Sequence, residues 1–389
     1  MATATRPAPA RPVPVPPERA RSPALRRFGP NWYATVMGTA IVATAGTALP
    51  VPAPRAFTAA VWALSLVLLG AVTAARGAHW IRHRDRAVDG LGDPATAPFH
   101  GCAAMAVLAA GTATLTAGTA GTAVIGEPAG AVIAFVLFGA GTAAALAVAV
   151  TVPYLVVVRR RTPLRTASPA WLLPVVPPIV ASSAGALLVP RLAPGPGREA
   201  LLLLCLGLFG IGLLATLIIL PVILARLLRN GAPPLALTPA LFLIVGPLGQ
   251  STTAASHMAA AAPYAADAAV LYGVPVLGSA LLWLIVAAAA TVRAVRRGMP
   301  FTLGWWAFTF PVGTCVTGAA GLARLIGSAP LAWSAAGLYV LLTAAWAVTA
   351  FQTLRGLFSG ALLAEPCAPA GGAVSGAVSG AGPLPAPRR

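Results

Sequence analysis

The chain contains no lysine and has few charged residues of any kind. Of its 389 residues, 9% are charged, and only eight are Asp or Glu. A surface that faces water usually carries about 25% charged residues, so this scarcity excludes a soluble enzyme, a nucleic-acid-binding protein and a secreted scaffold. Hydrophobic residues make up 58% of the chain, and this composition predicts a membrane protein that crosses the lipid bilayer many times.

Cysteine is also scarce, and its four residues lie far apart in the chain. Cys102, Cys205 and Cys315 fall within apolar segments, and no pair of cysteines has the spacing of a metal site or a redox motif. We interpret these cysteines as small packing residues. The sequence therefore predicts no metal site, no cofactor and no catalytic residue.

Ten apolar segments are long enough to cross the hydrocarbon layer, which takes about 20 helical residues. Numbered as spans 1 to 10, they cover residues 31–49, 57–78, 99–119, 129–153, 169–190, 199–225, 238–261, 268–292, 303–324 and 331–354. This pattern predicts an all-α integral membrane protein in which ten transmembrane helices form five hairpins. We predict one transmembrane domain, residues 28–360, between a disordered Pro/Arg-rich arm (1–27) and a disordered tail (361–389).

The arginines predict the orientation of the spans. With the N-terminus in the cytoplasm, 22 of the 26 arginines fall on the cytoplasmic side. The four others are Arg55, Arg191, Arg198 and Arg324. Arginine is enriched in cytoplasmic loops of membrane proteins, so we predict that both termini are cytoplasmic. As a separate expectation, we place the protein in the plasma (cell inner) membrane.

The odd-numbered spans carry Gly, Pro and hydroxyl residues near their centres, whereas the even-numbered spans are blander. A proline within a helix frees backbone groups, which inside a membrane must be satisfied by protein or by cavity water. We predict that the odd spans form an inner ring around a pore and that the even spans face lipid. The candidate pore-lining residues are Gly38, Thr39, Gly111, Thr112, Pro178, Ser182, Gly249, Gln250, Ser251 and Thr314. For each residue alone, close helix packing is the alternative interpretation.

Carboxylates are missing from the interior of the predicted spans. Because pathways for cations and protons usually use buried Asp or Glu, the pattern favours a pore for small anions. Two ionisable residues within the spans are candidates for the anion path: His257 in span 7, a candidate for coupling, and Arg324 near the outer end of span 9, a candidate for attracting anions.

A second hypothesis is an integral-membrane enzyme. One predicted cytoplasmic stretch contains several residues that could act as acids, bases or ligands, namely His79, His83, Asp85, Asp89, Asp93 and His100. Such a cluster near one membrane face is what an enzyme of this class needs. The neighbouring arginines also allow a simpler interpretation as a solvated loop.

Three stretches resemble the tellurite-resistance/dicarboxylate transporter (TDT) family, which includes bacterial TehA, yeast malate and sulfite transporters and plant slow anion channels. They are GPNWYATVMGT at 29–39, GPLGQS at 246–251 and WWAFTFP at 305–311. The ten-span layout extends the resemblance over about residues 28–360.

This resemblance implies five helical hairpins around a pore in each subunit, and a homotrimer of such subunits. It implies a gating phenylalanine on span 9, and Phe310 occupies the matching position. It also implies transport of a small anion. The three alternatives are sulfite, a C4-dicarboxylate such as malate, and an inorganic monovalent anion such as chloride or nitrate. These alternatives stay open at the level of the sequence.

Overall fold

A computed structural model describes residues 28–118, 125–155, 158, 166–360 and 362. This part of the chain is helical and contains no β-strand. Its α-helices are α1 (Tyr33–Ala48), α2 (Arg55–Arg82), α3 (Arg84–Gly92), α4 (Gly101–Ala113), α5 (Glu127–Tyr154), α6 (Pro177–Leu188), α7 (Pro196–Asn230), α8 (Val245–Ala261), α9 (Ala266–Arg296), α10 (Phe310–Ile326) and α11 (Ala329–Phe358). The predicted arm (1–27) and, apart from Leu362, the predicted tail (361–389) lie outside the described residues.

Each predicted span overlaps one of these helices, and the short helix α3 lies between spans 2 and 3. Within the described residues, eight helical segments are long and apolar enough to cross a membrane. This number supports the expectation of a multi-pass membrane protein. Helices α1 and α6, which overlap spans 1 and 5, have only 16 and 12 residues, and neither is among the eight. A proline pair, Pro177 and Pro178, starts α6, because proline lacks the backbone donor that later positions in a helix need but the first positions do not.

The helices fall into two groups by burial. Five of them, α1, α4, α6, α8 and α10, are mostly buried, and we call them the inner helices. The other long helices, α2, α5, α7, α9 and α11, are the outer helices. In the most apolar part of the α10 segment 83% of the residues are buried, against 17% in α11. The outer helices expose large apolar side chains such as Leu203, Ile218 and Phe351, as a lipid-covered surface requires.

The inner helices contact one another in a closed cycle. Helix α1 packs against α4, α4 against α6, α6 against α8, α8 against α10, and α10 against α1. Each inner helix also packs against the outer helix that follows it in the chain. Glycine and alanine are frequent on the inner helices, and small side chains let helix backbones approach closely inside a membrane.

A short 3-10 helical segment precedes every inner helix. These segments are Pro30–Trp32, Ala97–His100, Pro169–Leu172, Leu235–Ile244 and Leu303–Phe308. They contact one another in the same cyclic order as the inner helices, and we call them the 3-10 ring. After the first, the segments of the ring follow the outer helices in the sequence, and the C-terminal ends of these helices carry arginines, for example Arg82 of α2 and Arg296 of α9. We call this side of the bundle the arginine-rich end.

Candidate functional site

The five inner helices enclose a small central cavity of about 30 Å³, and each contributes side chains to it. It is lined by Ile41 and Thr44 of α1, Ala109 and Thr112 of α4, Val180 and Ser183 of α6, Gln250, Thr253 and His257 of α8, and Phe310 and Thr317 of α10. A volume of this size holds about one water molecule. The cavity therefore lies inside the cycle of inner helices, and in this conformation it is closed to larger solutes.

Hydroxyl groups give the central cavity its polar character. The hydroxyl oxygens of Thr253 and Thr317 lie 2.8 Å apart, and Thr253 also donates to the carbonyl oxygen of Thr314 at 3.0 Å. The Nδ1 atom of His257 lies 3.0 Å from the Ser183 hydroxyl and 3.2 Å from the Ser183 carbonyl oxygen. No side chain that the structure places on the wall of this cavity is acidic.

Phe310 is the first residue of α10 and lines the central cavity with only 3% of its surface exposed. Pro311 follows it within the first turn of the helix. Because proline has no backbone N–H, the chain changes from the 3-10 segment to the α-helix at this point without losing a helical hydrogen bond. The aromatic ring is therefore placed at the beginning of α10, inside the cycle of inner helices.

A larger cavity of about 260 Å³ lies within the 3-10 ring, and we call it the vestibule. Residues from four of the 3-10 segments, among them Asn31, Phe99 and Trp306, line it, and so does Leu173, which directly follows the fifth. Met37 of α1 lines the vestibule, and Ile41, one helical turn later, lines the central cavity. The two cavities are thus stacked along the inner helices, with the vestibule at the arginine-rich end.

Four of the candidate site residues come together at the central cavity, namely Thr112, Gln250, His257 and Phe310. Other candidates are buried in the inner helices but do not line this cavity. The Ser182 hydroxyl is 3.7 Å from the sulfur of Met258, the Ser251 hydroxyl donates to the Leu248 carbonyl oxygen at 3.0 Å, and the Thr314 hydroxyl donates to the Pro311 carbonyl oxygen at 2.7 Å. Gly249 and Pro178 are buried in α8 and α6.

Three candidates face other helices, and one lies at the far end of the bundle. Gly38 packs against Trp306 and Thr309. Thr39 accepts a hydrogen bond from Trp346 of α11 at 3.1 Å, and Gly111 packs against Leu137 of α5. Arg324 donates to the carbonyl oxygen of Ala48 at 2.6 Å, so it joins the C-terminal ends of α10 and α1 opposite the arginine-rich end.

The remaining residues of the central cavity follow a pattern that is present in the sequence. In three inner helices an apolar residue is followed three positions later by a hydroxyl residue, as in Ile41/Thr44, Ala109/Thr112 and Val180/Ser183. In α8 the lining residues are Gln250, Thr253 and His257. Residues three and seven positions apart share one face of a helix. This repeated spacing in the sequence indicates Thr44, Ser183 and Thr253 as lining residues, whereas the positions of the helix breaks do not indicate them.

Gly249 gives a test of close packing between α8 and α10. A Cβ atom added at Gly249 would lie 2.5 Å from the Thr314 hydroxyl oxygen and 2.9 Å from the Cys315 backbone nitrogen. We expect Gly249→Ala to lower the free energy of unfolding by about 2 kcal/mol through overpacking, measured as a lower midpoint of thermal unfolding in detergent.

The matched control for this variant is Gly246→Ala on the same helix. Its nearest neighbour would be the Pro311 ring at 3.8 Å, an ordinary contact. Because alanine favours helices over glycine by up to about 1 kcal/mol, this control is expected to be neutral or stabilising. Equal stability of the two variants would contradict the close approach of α8 to α10 at Gly249.

Residues 27–354 match the model of a protein family described as the voltage-dependent anion channel family, SLAC1. The match covers most of the chain, including every inner and outer helix except the end of α11. The chain belongs to this family. The resemblance to the TDT family, within which the SLAC1 model falls, is thereby confirmed.

Individual SLAC1-family relatives carry transporter names. The chain is 24% identical to an uncharacterized transporter of Methanocaldococcus jannaschii over 86% of its own length and 95% of that protein. A second uncharacterized transporter of the same organism is 24% identical over 88% of the chain and 98% of that protein. A sulfite efflux pump of Trichophyton rubrum is 29% identical, but the match covers 45% of the chain and 50% of the pump. The family assignment makes the chain a membrane transporter or channel.

The histidine and aspartate residues of the alternative enzyme hypothesis are divided in this SLAC1-family chain. His79 and His100 line one pocket at the arginine-rich end, together with Arg76 and Arg86, whereas Asp93 lines a different cavity. Within the described residues, no three His, Cys, Asp or Glu side chains are arranged so that they could hold a metal ion. The family assignment favours transport, and no observation specifically supports an enzyme.

Proposed function

We propose that the chain conducts small anions through a pore within each subunit, along the axis of the five inner helices. The observation that carries the proposal is the central cavity, to which all five inner helices contribute and which no acidic side chain lines within the described residues. In this proposal α1 and α6, extended by their 3-10 segments, complete ten membrane spans in five hairpins. The domain of residues 28–360 then has both termini in the cytoplasm, and the plasma membrane is the site of action.

The walls of the proposed path suit an anion. The Gln250 amide and the His257 ring can offer hydrogen-bond donors, and a donor stabilises an anion without a fixed charge. The hydroxyl groups of Thr44, Thr112 and Thr317 donate to carbonyl oxygens of their own helices, and each would turn from that carbonyl to serve an anion. A fixed carboxylate would instead attract cations. The vestibule also lacks acidic side chains among its described lining residues. Arginines around the arginine-rich end raise the local concentration of anions at that mouth.

Phe310 is the proposed gate. Its ring fills the axis at the level where the vestibule meets the central cavity, since Phe310 lines the cavity and Pro311 lines the vestibule. A bulky apolar ring at a narrow point blocks ions by steric exclusion and by removing water. Conduction then requires that the ring turns away or that the inner helices separate.

Sulfite, an inorganic monovalent anion and a C4-dicarboxylate are the candidate substrates. The partial match to sulfite efflux pumps favours sulfite. Desolvation of a dianion is very costly without a buried positive charge, so a path lined by hydroxyl groups favours chloride, nitrate or the singly protonated form of sulfite over malate. In the proposal Arg324 attracts anions at the outer mouth, and His257 is the candidate for proton coupling. A homotrimer in the bilayer is the proposed assembly.

An anion panel in proteoliposomes tests this proposal. Purified protein is reconstituted, and the efflux of chloride, nitrate, sulfite and malate is measured beside protein-free liposomes of the same lipid. We expect flux of the three smaller anions to exceed that of malate, and potassium to contribute little to the reversal potential. If none of the four anions crosses, or if potassium carries most of the current, the proposal is wrong.

A further inference from the structure

A separate pocket of about 190 Å³ lies at the arginine-rich end, beside the 3-10 ring rather than within it. Its walls include Arg76 at the end of α2, Arg86 of the short helix α3, and Pro30 and His100 of the first two 3-10 segments. None of these residues lines the central cavity or the vestibule. The anion path described above therefore leaves this pocket without a role.

Positive charge is concentrated in this pocket. The Arg76 side chain is only 7% exposed, and its Nη1 atom donates to the Phe28 carbonyl oxygen at 2.6 Å. A guanidinium group has five N–H donors, so the contact with Phe28 leaves further donors available. Arg86 is exposed and adds a second guanidinium. No carboxylate is among the described residues that line the pocket, although a buried cation usually has an anionic partner.

His100 supplies a hydrogen-bonding atom that lacks a partner. Its Nδ1 atom lies 3.1 Å from the Ala97 carbonyl oxygen, which orients the ring. Its Nε2 atom is buried and has no hydrogen-bond partner among the residues that the structure describes. Most buried polar side-chain atoms in proteins have a partner, so this nitrogen can accept a hydrogen bond from a ligand once a small shift of the ring or its neighbours exposes it to the pocket.

We propose that this pocket binds a phosphate group. Tetrahedral phosphate oxygens match the planar fork of the arginine side chains, which bind phosphate through paired charge-assisted hydrogen bonds. The hydrogen bond between His100 Nε2 and a phosphate oxygen needs one proton, which either a monohydrogen phosphate brings or the imidazole takes up. A carboxylate at neutral pH has neither this proton nor enough oxygens to reach both arginines and the histidine.

The position of the pocket connects it to the proposed pore. Pro30 and His100 lie next to Asn31 and Phe99, and these two residues line the vestibule. A phosphate group held by Arg76, Arg86 and His100 therefore ties α2 and α3 to the Ala97–His100 segment of the 3-10 ring. This regulatory consequence rests on the proposed function, whereas phosphate binding itself does not.

Binding is tested on the purified full-length protein in detergent by isothermal titration. One arm uses inorganic phosphate, and the other uses dihexanoyl phosphatidic acid with dihexanoyl phosphatidylcholine as its reference. We expect Arg86→Gln and His100→Leu each to weaken binding about tenfold, since each removes one hydrogen bond to a charged group. The matched control is Arg84→Gln on the same short helix, which does not line the pocket and is expected to change the affinity less than about twofold.

The two arms separate the possible sources of the phosphate group. Binding of inorganic phosphate supports a soluble ligand, and binding of phosphatidic acid alone supports a lipid headgroup. Absence of binding in both arms overturns the proposal. The proposal is also overturned if Arg84→Gln and Arg86→Gln weaken phosphate binding equally, or if His100→Leu leaves the affinity unchanged. In both cases general attraction to arginine would explain the binding. The titration needs no transport, so a protein that binds phosphate but conducts no anion contradicts the pore and not the pocket.

Discussion

Replacing Phe310 with alanine is expected to raise anion flux by about tenfold or more. The ring is nearly fully buried and lines the central cavity between its polar wall and the vestibule. Removing it opens the narrowest part of the proposed path and allows water to enter, and hydration is what an anion needs in order to cross an apolar constriction. Chloride and sulfite efflux from proteoliposomes, at equal protein density, measures the effect.

The control for Phe310→Ala is Phe138→Ala. Phe138 is also buried, at 8% exposure, but it belongs to the outer helix α5 and does not line the central cavity. Loss of a buried phenylalanine costs about 3 to 5 kcal/mol of stability in either place, so a flux increase that came from general loosening would occur in both variants. Flux that is unchanged in Phe310→Ala, or raised equally in both, contradicts the gate.

Changing Gln250 to glutamate is expected to lower anion flux about tenfold or more at alkaline pH, where even a buried carboxyl is ionised. Gln250 is buried on the wall of the central cavity, and the substitution keeps its shape while adding a negative charge. Two unit charges a few ångströms apart repel by roughly 4 kcal/mol at the effective dielectric constant of a protein surface. Because protonation neutralises the carboxylate, flux is expected to recover as the pH falls.

The chain offers a matched control, since its other glutamine is Gln352. Gln352 lies on the outer helix α11 and lines neither the central cavity nor the vestibule. Gln352→Glu therefore adds the same charge without placing it on the proposed path, and its anion flux is expected to match that of the unmodified protein. An anion flux that is undiminished in Gln250→Glu at neutral and at alkaline pH, where the carboxyl is ionised, would show that anions do not pass the central cavity.

Much of the fold follows from the sequence because the bilayer restricts what an apolar segment can do. A segment of about 20 apolar residues must be helical to satisfy its backbone in lipid, and each of the ten predicted segments overlaps a helix. The family could also be predicted, since motifs such as GPNWYATVMGT at 29–39 are specific. The shortness of α6 was less apparent, because prolines at 174, 177 and 178 divide span 5 into a turn and a 12-residue helix.

The candidate site was only partly predictable because membrane depth and helix rotation are separate properties. Ser182 and Ser183 lie at the same depth, but successive residues in a helix point about 100° apart. Ser183 therefore reaches the central cavity and His257, while Ser182 faces Met258. Similarly, Gly249 contacts α10, and the adjacent Gln250 lines the cavity. Composition identifies the polar level of each helix but not the face that points inward.

By itself, the sequence determined that this is a membrane protein. It also determined which segments are helices and which family the chain belongs to. These properties depend on the apolar content of each segment and on local motifs, and both can be read along the chain. Only the tertiary structure decided which side chains meet at the central cavity, and that Arg76, Arg86 and His100 share one pocket. The physical reason is that such meetings depend on how five helices are rotated against one another, which is decided by packing between residues far apart in the chain.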